Sequence, residues 1–207
     1  MLNSPCFCSI VITLNNSPKY LEKLFENITN QGKNLGQYEI IFINNLSLKK
    51  NYSQVNNICL KYNIKNVQKF ATNDICQNIL DSCRGEIIVF IDANCYPDAH
   101  WLENLIKSFN NSNINIVAGE ICQGKDNHKF RKIITNFWHQ NNFEWSNFYD
   151  NQIANIAVRK KYLQQANNLN LTPVNSQEVS IYYRILREIE AEIVYNPSSI
   201  VYSNFYL

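Results

Sequence analysis

The chain has 207 residues, of which 45% are hydrophobic and 17% charged, and its formal net charge is +2. This composition excludes an intrinsically disordered chain, and so small a charge gives no argument for nucleic acid as a partner. Five glycines and five prolines exclude collagen-like and linker-rich architectures. A chain of this length buries roughly 70% of the surface that its unfolded form exposes, so we expect one domain over residues 1–207.

The seven cysteines are odd in number and have apolar neighbours, which favours free thiols. Cys6 and Cys8 could form half of a metal site, but no second pair completes it, so we expect buried strand residues. The start of the chain has neither the charged segment nor the apolar run of a signal peptide, which predicts a cytoplasmic protein. No apolar run approaches 18 residues, so we expect no transmembrane segment and at most a peripheral contact at the inner membrane face.

Short apolar runs alternate with amphipathic segments over the first part of the chain. The apolar runs predict strands over residues 6–14, 38–43, 67–70, 86–91 and 114–118. Apolar spacing of three and four predicts a helix after Ser17-Pro18 and further helices over residues 53–62, 73–83 and 97–109. This alternation predicts an α/β fold, in which a central, mostly parallel sheet is flanked by helices.

The second half of the sequence has a different pattern. Residues 123–150 are rich in aromatic side chains and lack periodicity, so we expect an irregular excursion on one side of the sheet. Beyond them the pattern predicts a strand over 153–158, helices over 160–166 and 177–190, and short strands over 192–195 and 200–202. We find no internal repeat and no domain boundary.

Polar side chains follow two of the predicted strands. Asn44 follows the second strand, and Asp92 and Asn94 follow the most apolar strand of the chain. Ligands of open α/β sheets bind at the carboxyl ends of strands, and an unpaired carboxylate is costly to bury, so we expect Asp92 to point into a crevice there. Two oxygen donors at this place suit Mg²⁺ or Mn²⁺ bridging a diphosphate. The alternative is a helix N-cap or a turn before Pro97.

Several common enzyme classes lack their motifs in this chain. No Walker phosphate loop and no G-x-G-x-x-G is present, which argues against P-loop enzymes and dinucleotide dehydrogenases. No serine lies in a G-x-S-x-G elbow, which argues against an α/β-hydrolase. The three histidines are far apart and follow no ligand spacing.

The motifs that are present resemble those of family 2 glycosyltransferases with the GT-A fold. Residues 9–21 resemble the family's opening strand and helix, and residues 38–47 its second strand, which usually ends in Asp-Asn-Gly-Ser. Residues 84–102 resemble the strand with the D-x-D metal motif, and residues 154–159 the acceptor-side strand. Glu178, with Arg184 six residues on, resembles the Glu-Asp pair and arginine of the last catalytic helix, and residues 195–197 the terminal strands.

The resemblance implies an inverting, metal-assisted transfer of a sugar. The donor would be a nucleotide diphosphate sugar, with UDP-sugars the first expectation, and the acceptor a hydroxyl of a sugar, a lipid-linked molecule or another compound. The implied roles are nucleotide-sugar binding by Thr13, Asn15, Asn44 and Asp92, binding of Mg²⁺ or Mn²⁺ by Asp92 and Asn94, and general base catalysis by Glu178.

Several positions depart from the family pattern. Asn44 and Asn94 stand where the family has carboxylates, Glu178 where it has the aspartate of the pair, and Ser203 where a histidine is frequent. On the helix before Arg84, an arginine common in the family is missing. These changes leave open a catalytically inactive GT-A-like binding or scaffold protein. A nucleotidyltransferase on a similar sheet is a third possibility, although it usually has a glycine-rich first loop.

Overall fold

The computed structural model describes residues 8–14, 18–31, 38–44, 52–62, 64, 66–68, 75–123, 155–167 and 193–203. The strands among them are β1 (Cys8–Leu14), β2 (Tyr38–Asn44), β3 (Asn66–Gln68), β4 (Ile87–Asp92), β5 (Cys95–Pro97), β6 (Ile116–Gln123), β7 (Ile156–Arg159) and β8 (Ile193–Ser203). The α-helices are α1 (Leu21–Gln31), α2 (Tyr52–Lys61), α3 (Ile75–Ser82), α4 (Trp101–Ser108) and α5 (Lys160–Asn167), and a 3₁₀ turn (Pro18–Tyr20) precedes α1.

The eight described strands form one mixed sheet in the order β3-β2-β1-β4-β7-β6-β8-β5. Strands β3, β2, β1 and β4 are parallel to one another, with helical segments between them along the chain. Strand β7 is antiparallel to both β4 and β6, β8 is parallel to β6, and β5 is antiparallel to β8 at the edge. The predicted α/β architecture is confirmed.

The core lies on both faces of this sheet. Every side chain of β4 from Ile87 to Asp92 is buried, which explains why this strand is a continuous apolar run rather than an alternating one. On one face, Phe25 of α1 contacts Phe42 of β2 edge to face, with ring centroids 6.2 Å apart, and Tyr62 packs on Phe25 at 5.9 Å. The predicted apolar face of α1 is buried as expected: Leu21, Leu24, Phe25 and Ile28.

Two elements differ from the sequence prediction. The helix expected over residues 97–109 begins at Trp101, because residues 95–97 form the edge strand β5, where Pro97 needs no ladder N–H. The two short strands expected around Pro197 are one strand, β8. In its pairing with β6, Asn196 lies opposite Gly119 and Ile200 lies opposite Glu120. Residues 197–199 form a bulge between these two pairs, and Pro197 lies in it. The predicted helix 177–190 and residues 124–150 lie outside the described residues.

A buried polar network joins α4 to the sheet at this bulge. The indole N–H of Trp101 donates to Oδ1 of Asn155 at 2.8 Å, and Nδ2 of Asn155 donates to the carbonyls of Glu120 at 2.8 Å and Ser199 at 2.9 Å. Ser199 Oγ in turn donates to the carbonyl of Trp101 at 3.0 Å. A Cβ on Gly119 would lie 2.3 Å from Nδ2 of Asn155, so only glycine fits beside this amide.

A second network ties together the amino-terminal ends of β1, β2 and β4. Oε1 of Glu39 accepts from Ser9 Oγ at 2.7 Å and from the backbone N–H of Arg84 at 2.6 Å, and Oε2 accepts from Arg84 Nε at 2.9 Å. The N–H of Gly85 donates to Ser9 Oγ at 2.8 Å, and a Cβ there would lie 2.5 Å from the Ser9 nitrogen. Burial alone would raise the pKa of Glu39, but the Arg84 and Ser9 hydrogen bonds hold it below its usual value.

We expect Glu39→Gln to lower the free energy of unfolding at pH 7 by about 1–3 kcal/mol, because the amide would direct its N–H groups at the donor Nε of Arg84. The charge of Glu39 stabilises the fold above its ordinary pKa of about 4.3 and ceases to do so as the pH falls through the lower folded-state pKa. Urea unfolding of wild type and variant should therefore differ most near neutral pH and converge below about pH 4.

Glu103→Gln is the matched control, because its carboxylate is paired with Lys107 on the exposed face of α4. This variant should change the unfolding free energy little. Equal stability of the wild type and Glu39→Gln at pH 7 would show that the buried network contributes nothing.

Candidate functional site

The carboxyl ends of β1, β2 and β4 meet at one edge of the sheet, opposite the edge that carries Glu39. In the strand register, Thr13 lies beside Asp92, and Leu14 lies beside Asn44. The backbone thus brings together three of the residues predicted for nucleotide-sugar binding. The side chains of Thr13 and Asn44 are not described, and Asn15 and Glu178 lie outside the described residues, so their roles stay predictions.

Asp92 ends β4 with a carboxylate that is only 7% exposed. Its Oδ1 accepts the backbone N–H of Asn94 at 2.7 Å, and the side chain of Asn94 also donates to it. Burial raises the pKa of Asp92 to about 6, although both hydrogen bonds from Asn94 act in the opposite direction. Instead of projecting into open solvent, the carboxylate is held in a tight turn of residues 92–94. The turn that the sequence offered as the alternative is therefore present, and metal binding by Asp92 and Asn94 stays a prediction.

Strand β8 contributes Ser203, which stands where a histidine is frequent in the family, to this end of the sheet. Ser203 lies opposite Cys95 in the β5–β8 pairing, is 8% exposed, and hydrogen-bonds the Cys95 thiol. Burial raises the pKa of that thiol strongly, and the neighbouring charge of Asp92 adds to the shift. The polar edge therefore includes the end of β8, which lies more than 100 residues after the turn in sequence.

The rest of the described chain offers few alternatives to this edge. Among the described residues, no cluster of three or more histidine, cysteine or acidic side chains could hold a metal ion. Cys8, Cys59, Cys83 and Cys95 are buried free thiols, and Cys122 is a partly exposed one. The expected buried strand residue is confirmed for Cys8, and Cys6 lies outside the described residues. None of the described helices is long and apolar enough to cross a membrane.

Comparison with known proteins identifies the family. Residues 9–166 match the model of the family described as glycosyl transferase family 2. The chain belongs to this family. A transferase of Methanococcus voltae, named dolichyl N-acetyl-alpha-D-glucosaminyl phosphate 3-beta-D-2,3-diacetamido-2,3-dideoxy-beta-D-glucuronosyltransferase, is 28% identical over 109 residues, which are 50% of this chain and 34% of that protein. Glycosyltransferase AglE of Haloferax volcanii is 20% identical over 122 residues, which are 56% of this chain and 39% of that protein.

Solved structures of glycosyltransferases share the fold. The mannosyltransferase PcManGT of Pyrobaculum calidifontis, in complex with GDP-Man and Mn²⁺, has a TM-score of 0.64 and 17% identity, covering 98% of this chain and 57% of that one. S. aureus TarS 1-349 in complex with UDP has a TM-score of 0.68 and 12% identity, covering 95% of this chain and 60% of that one. The fold is therefore the GT-A glycosyltransferase fold, and this family 2 chain spans about a third of the sequence relatives' length.

The donor set at the turn fits a divalent cation. One carboxylate and one amide oxygen are hard ligands of the kind that Mg²⁺ and Mn²⁺ take, and such cations commonly complete their shells with water and substrate phosphates. A cation there would also offset the cost of keeping the Asp92 carboxylate charged at 7% exposure. Asn94 provides no charge, so Asp92 would be the only carboxylate that this turn offers to a cation.

Asn94→Asp tests whether residue 94 faces the cation. Without divalent cations, two carboxylates in a buried turn repel each other, so the variant should have a lower melting temperature than the wild type. Each kcal/mol of unfolding free energy that the repulsion removes lowers the melting temperature by about 2–4 °C. With Mn²⁺ the variant should regain stability and rise further above its metal-free melting temperature than the wild type does. Thermal unfolding of both proteins with Mn²⁺ and with EDTA gives the comparison.

Asn110→Asp introduces the same charge at an exposed position just after α4 and serves as the control. It should respond to Mn²⁺ as the wild type does. If all three proteins respond equally to Mn²⁺, then residue 94 does not contact the cation.

Proposed function

We propose that this chain transfers a sugar from a nucleotide diphosphate sugar to an acceptor hydroxyl with inversion at the anomeric carbon. The observation that carries the proposal is the convergence of β1, β2 and β4 on one sheet edge, with a buried, hydrogen-bonded Asp92, in a chain of glycosyl transferase family 2. The nucleotide would lie across the ends of these strands, where ligands of such sheets bind.

The residues of β1 and β2 would hold the nucleoside. Asn44 ends β2 beside the end of β1, and its amide can accept a base N–H and donate to a base oxygen. Thr13 lies opposite Asp92 in the register of β1 and β4, and with Asn15 it would also contact the nucleoside. We name UDP-sugars as the first donors to test and GDP-sugars as the second, since the neighbours TarS and PcManGT were solved with UDP and GDP-Man.

Asp92, helped by Asn94, would hold Mg²⁺ or Mn²⁺ against the diphosphate. The cation, when bound, stabilises the negative charge that develops on the departing nucleoside diphosphate. The protein's part is to fix the ligands, and the hydrogen bonds from Asn94 to Asp92 restrict the carboxylate to one orientation. The PcManGT complex, which contains Mn²⁺ together with GDP-Man, supports a cation in this role.

Glu178 would act as the general base. As the acceptor oxygen forms its bond to the anomeric carbon, the bond from that carbon to the diphosphate breaks, and the acceptor proton passes to the Glu178 carboxylate. The nucleoside diphosphate leaves with the bonding electrons. A lipid-linked acceptor is the class to test first, because the relative from Methanococcus voltae is named for a dolichyl phosphate substrate. A chain acting on it would work peripherally at the inner face of a membrane.

Asn44 and Asn94 favour a second candidate function, a binding protein without turnover, since both positions lack the charge that the family usually has. Release of free nucleoside diphosphate separates the two. The full chain should release UDP from at least one UDP-sugar, or GDP from a GDP-sugar, in the presence of Mn²⁺ and a lipid-linked or free sugar acceptor. Nucleotide binding without release from any donor would contradict the transferase and support the binding protein.

Glu178→Gln should lower turnover by about 10²- to 10⁴-fold, because the variant keeps the shape of the side chain but cannot take the acceptor proton. The affinity for the nucleoside diphosphate and the melting temperature should change little. Glu188→Gln, ten residues further along the same predicted helix, is the control and should have the turnover rate of the wild type. Full turnover by Glu178→Gln would show that another residue is the base.

Asn44→Ala should weaken nucleoside diphosphate binding by about 1–3 kcal/mol, the usual cost of leaving a buried polar partner unpaired. The loss should be the same with Mn²⁺ and with EDTA, because the contact is to the nucleoside. Asp92→Ala should instead abolish the difference between the two conditions. Calorimetric titration measures both, and equal behaviour of the two variants would contradict the separation of a nucleoside end from a metal end.

A further inference from the structure

Strand β5 connects the turn of residues 92–94 to the rest of the sheet. It begins at Cys95, directly after the turn of residues 92–94, and it is one of the two edge strands of the described sheet. Within the described residues its only strand partner is β8, through Cys95–Ser203, Tyr96–Tyr202 and Pro97–Val201. The position of the turn therefore depends on β4 on one side and on the β5–β8 pairing on the other.

An aromatic stack holds this pairing together. The rings of Tyr96 and Tyr202 lie 5.3 Å apart between centroids, with an interplanar angle of 24°. The ammonium of Lys23, on α1, lies 4.4 Å from the centroid of the Tyr96 ring. The Tyr202 hydroxyl is 3.5 Å from Oδ2 of Asp98, and the Asp98 N–H donates to the carbonyl of Ile200 at 2.9 Å. The segment after β5 therefore remains in contact with β8.

The Cys95–Ser203 pair, next to the Tyr96–Tyr202 pair, consists of two small buried side chains. Cys95 is fully buried in the core, and its side chain contacts β8 through the hydrogen bond to Ser203. A thiol–hydroxyl bond is weak, so the stack of Tyr96 on Tyr202 is the larger side-chain contact that adds to the backbone pairing of the two strands. Tyr202 is partly exposed, and its ring does not belong to the main apolar core.

We propose that Tyr202 is a positioning residue for the cation and diphosphate site, acting through its stack on Tyr96. This inference rests on the proposed function. The described donor set has one charged and one neutral ligand, so its affinity for a cation depends on how closely the backbone of residues 92–94 keeps both oxygens in place. Partners that orient metal ligands typically contribute about 10- to 100-fold in metal affinity or activity.

The test uses the full chain and compares Tyr202→Leu, which removes the stack but keeps an apolar side chain, with Tyr202→Phe, which keeps the stack. UDP and GDP are each titrated in the presence of Mn²⁺ and in EDTA. Tyr202→Leu should weaken binding with Mn²⁺ by about tenfold and leave binding in EDTA unchanged. Tyr202→Phe should bind as the wild type does in both conditions.

Two further variants keep the test decisive. Tyr62→Ala removes the aromatic contact with Phe25 on α1, away from the turn, and should lower the melting temperature without a selective loss of the Mn²⁺-dependent binding. Lys23→Met removes the cation over Tyr96 from an exposed helix position, so it should fold even where Tyr202→Leu does not. Its Mn²⁺-dependent affinity should fall by about twofold to fivefold.

The outcomes separate this inference from the function on which it rests. Binding by the wild type that is indifferent to Mn²⁺ would contradict the proposed metal site and the inference together. A wild type that needs Mn²⁺, with Tyr202→Leu and Lys23→Met that bind equally well, would overturn the positioning role alone. The same selective loss in Tyr62→Ala would also overturn it, because the effect would then follow general destabilisation.

Discussion

The parallel register of β1, β2 and β4 is the constraint on which the rest of the structure depends. A slip of one residue would turn every side chain of a strand to the opposite face of the sheet. Both faces of β4 are buried, so polar contacts at the strand ends have to distinguish one register from another. Glu39 fixes the same register at the amino-terminal edge, since its carboxylate accepts from Ser9 and from the backbone that leads into β4. Asp92 and Asn44 are aligned at the other edge as a consequence.

The two edges use buried carboxylates in opposite ways. Glu39 accepts three hydrogen bonds, one of them from a guanidinium, and its pKa lies below the usual value. Asp92 accepts hydrogen bonds from neutral donors of Asn94, and its pKa is raised to about 6 by burial. The first carboxylate is fully compensated by the protein, as a structural residue should be. A cation bound at the second would offset part of the cost of burying its charge.

The sequence predicts the strands and helices that local apolar patterns specify. It does not predict those whose bounds depend on pairing with residues far away in sequence. The apolar runs of β1, β2 and β4 and the apolar face of α1 identify these elements. The proline-containing strands β5 and β8 were not predicted correctly, because Pro97 and Pro197 are tolerated only through an edge position and a bulge that tertiary pairing creates. The family motifs predicted Asp92 but not its burial, which depends on neighbours in β5 and β8.

Strand β8 connects the buried network around Asn155 with the turn that carries Asp92. Its middle is held by the Asn155 amide, which donates to the carbonyls of Ser199 and Glu120 and thereby stabilises the bulge around Pro197. Its end pairs with β5 through Tyr202 and Ser203, next to the turn that carries Asp92. The bulge sets the register of the second half of β8, so that Glu120 lies opposite Ile200 and Gln123 opposite Ser203. The amide therefore supports the bulge that decides which residues of β8 lie beside β5 and the turn of residues 92–94, so that a buried structural network shapes the end of the sheet that carries Asp92.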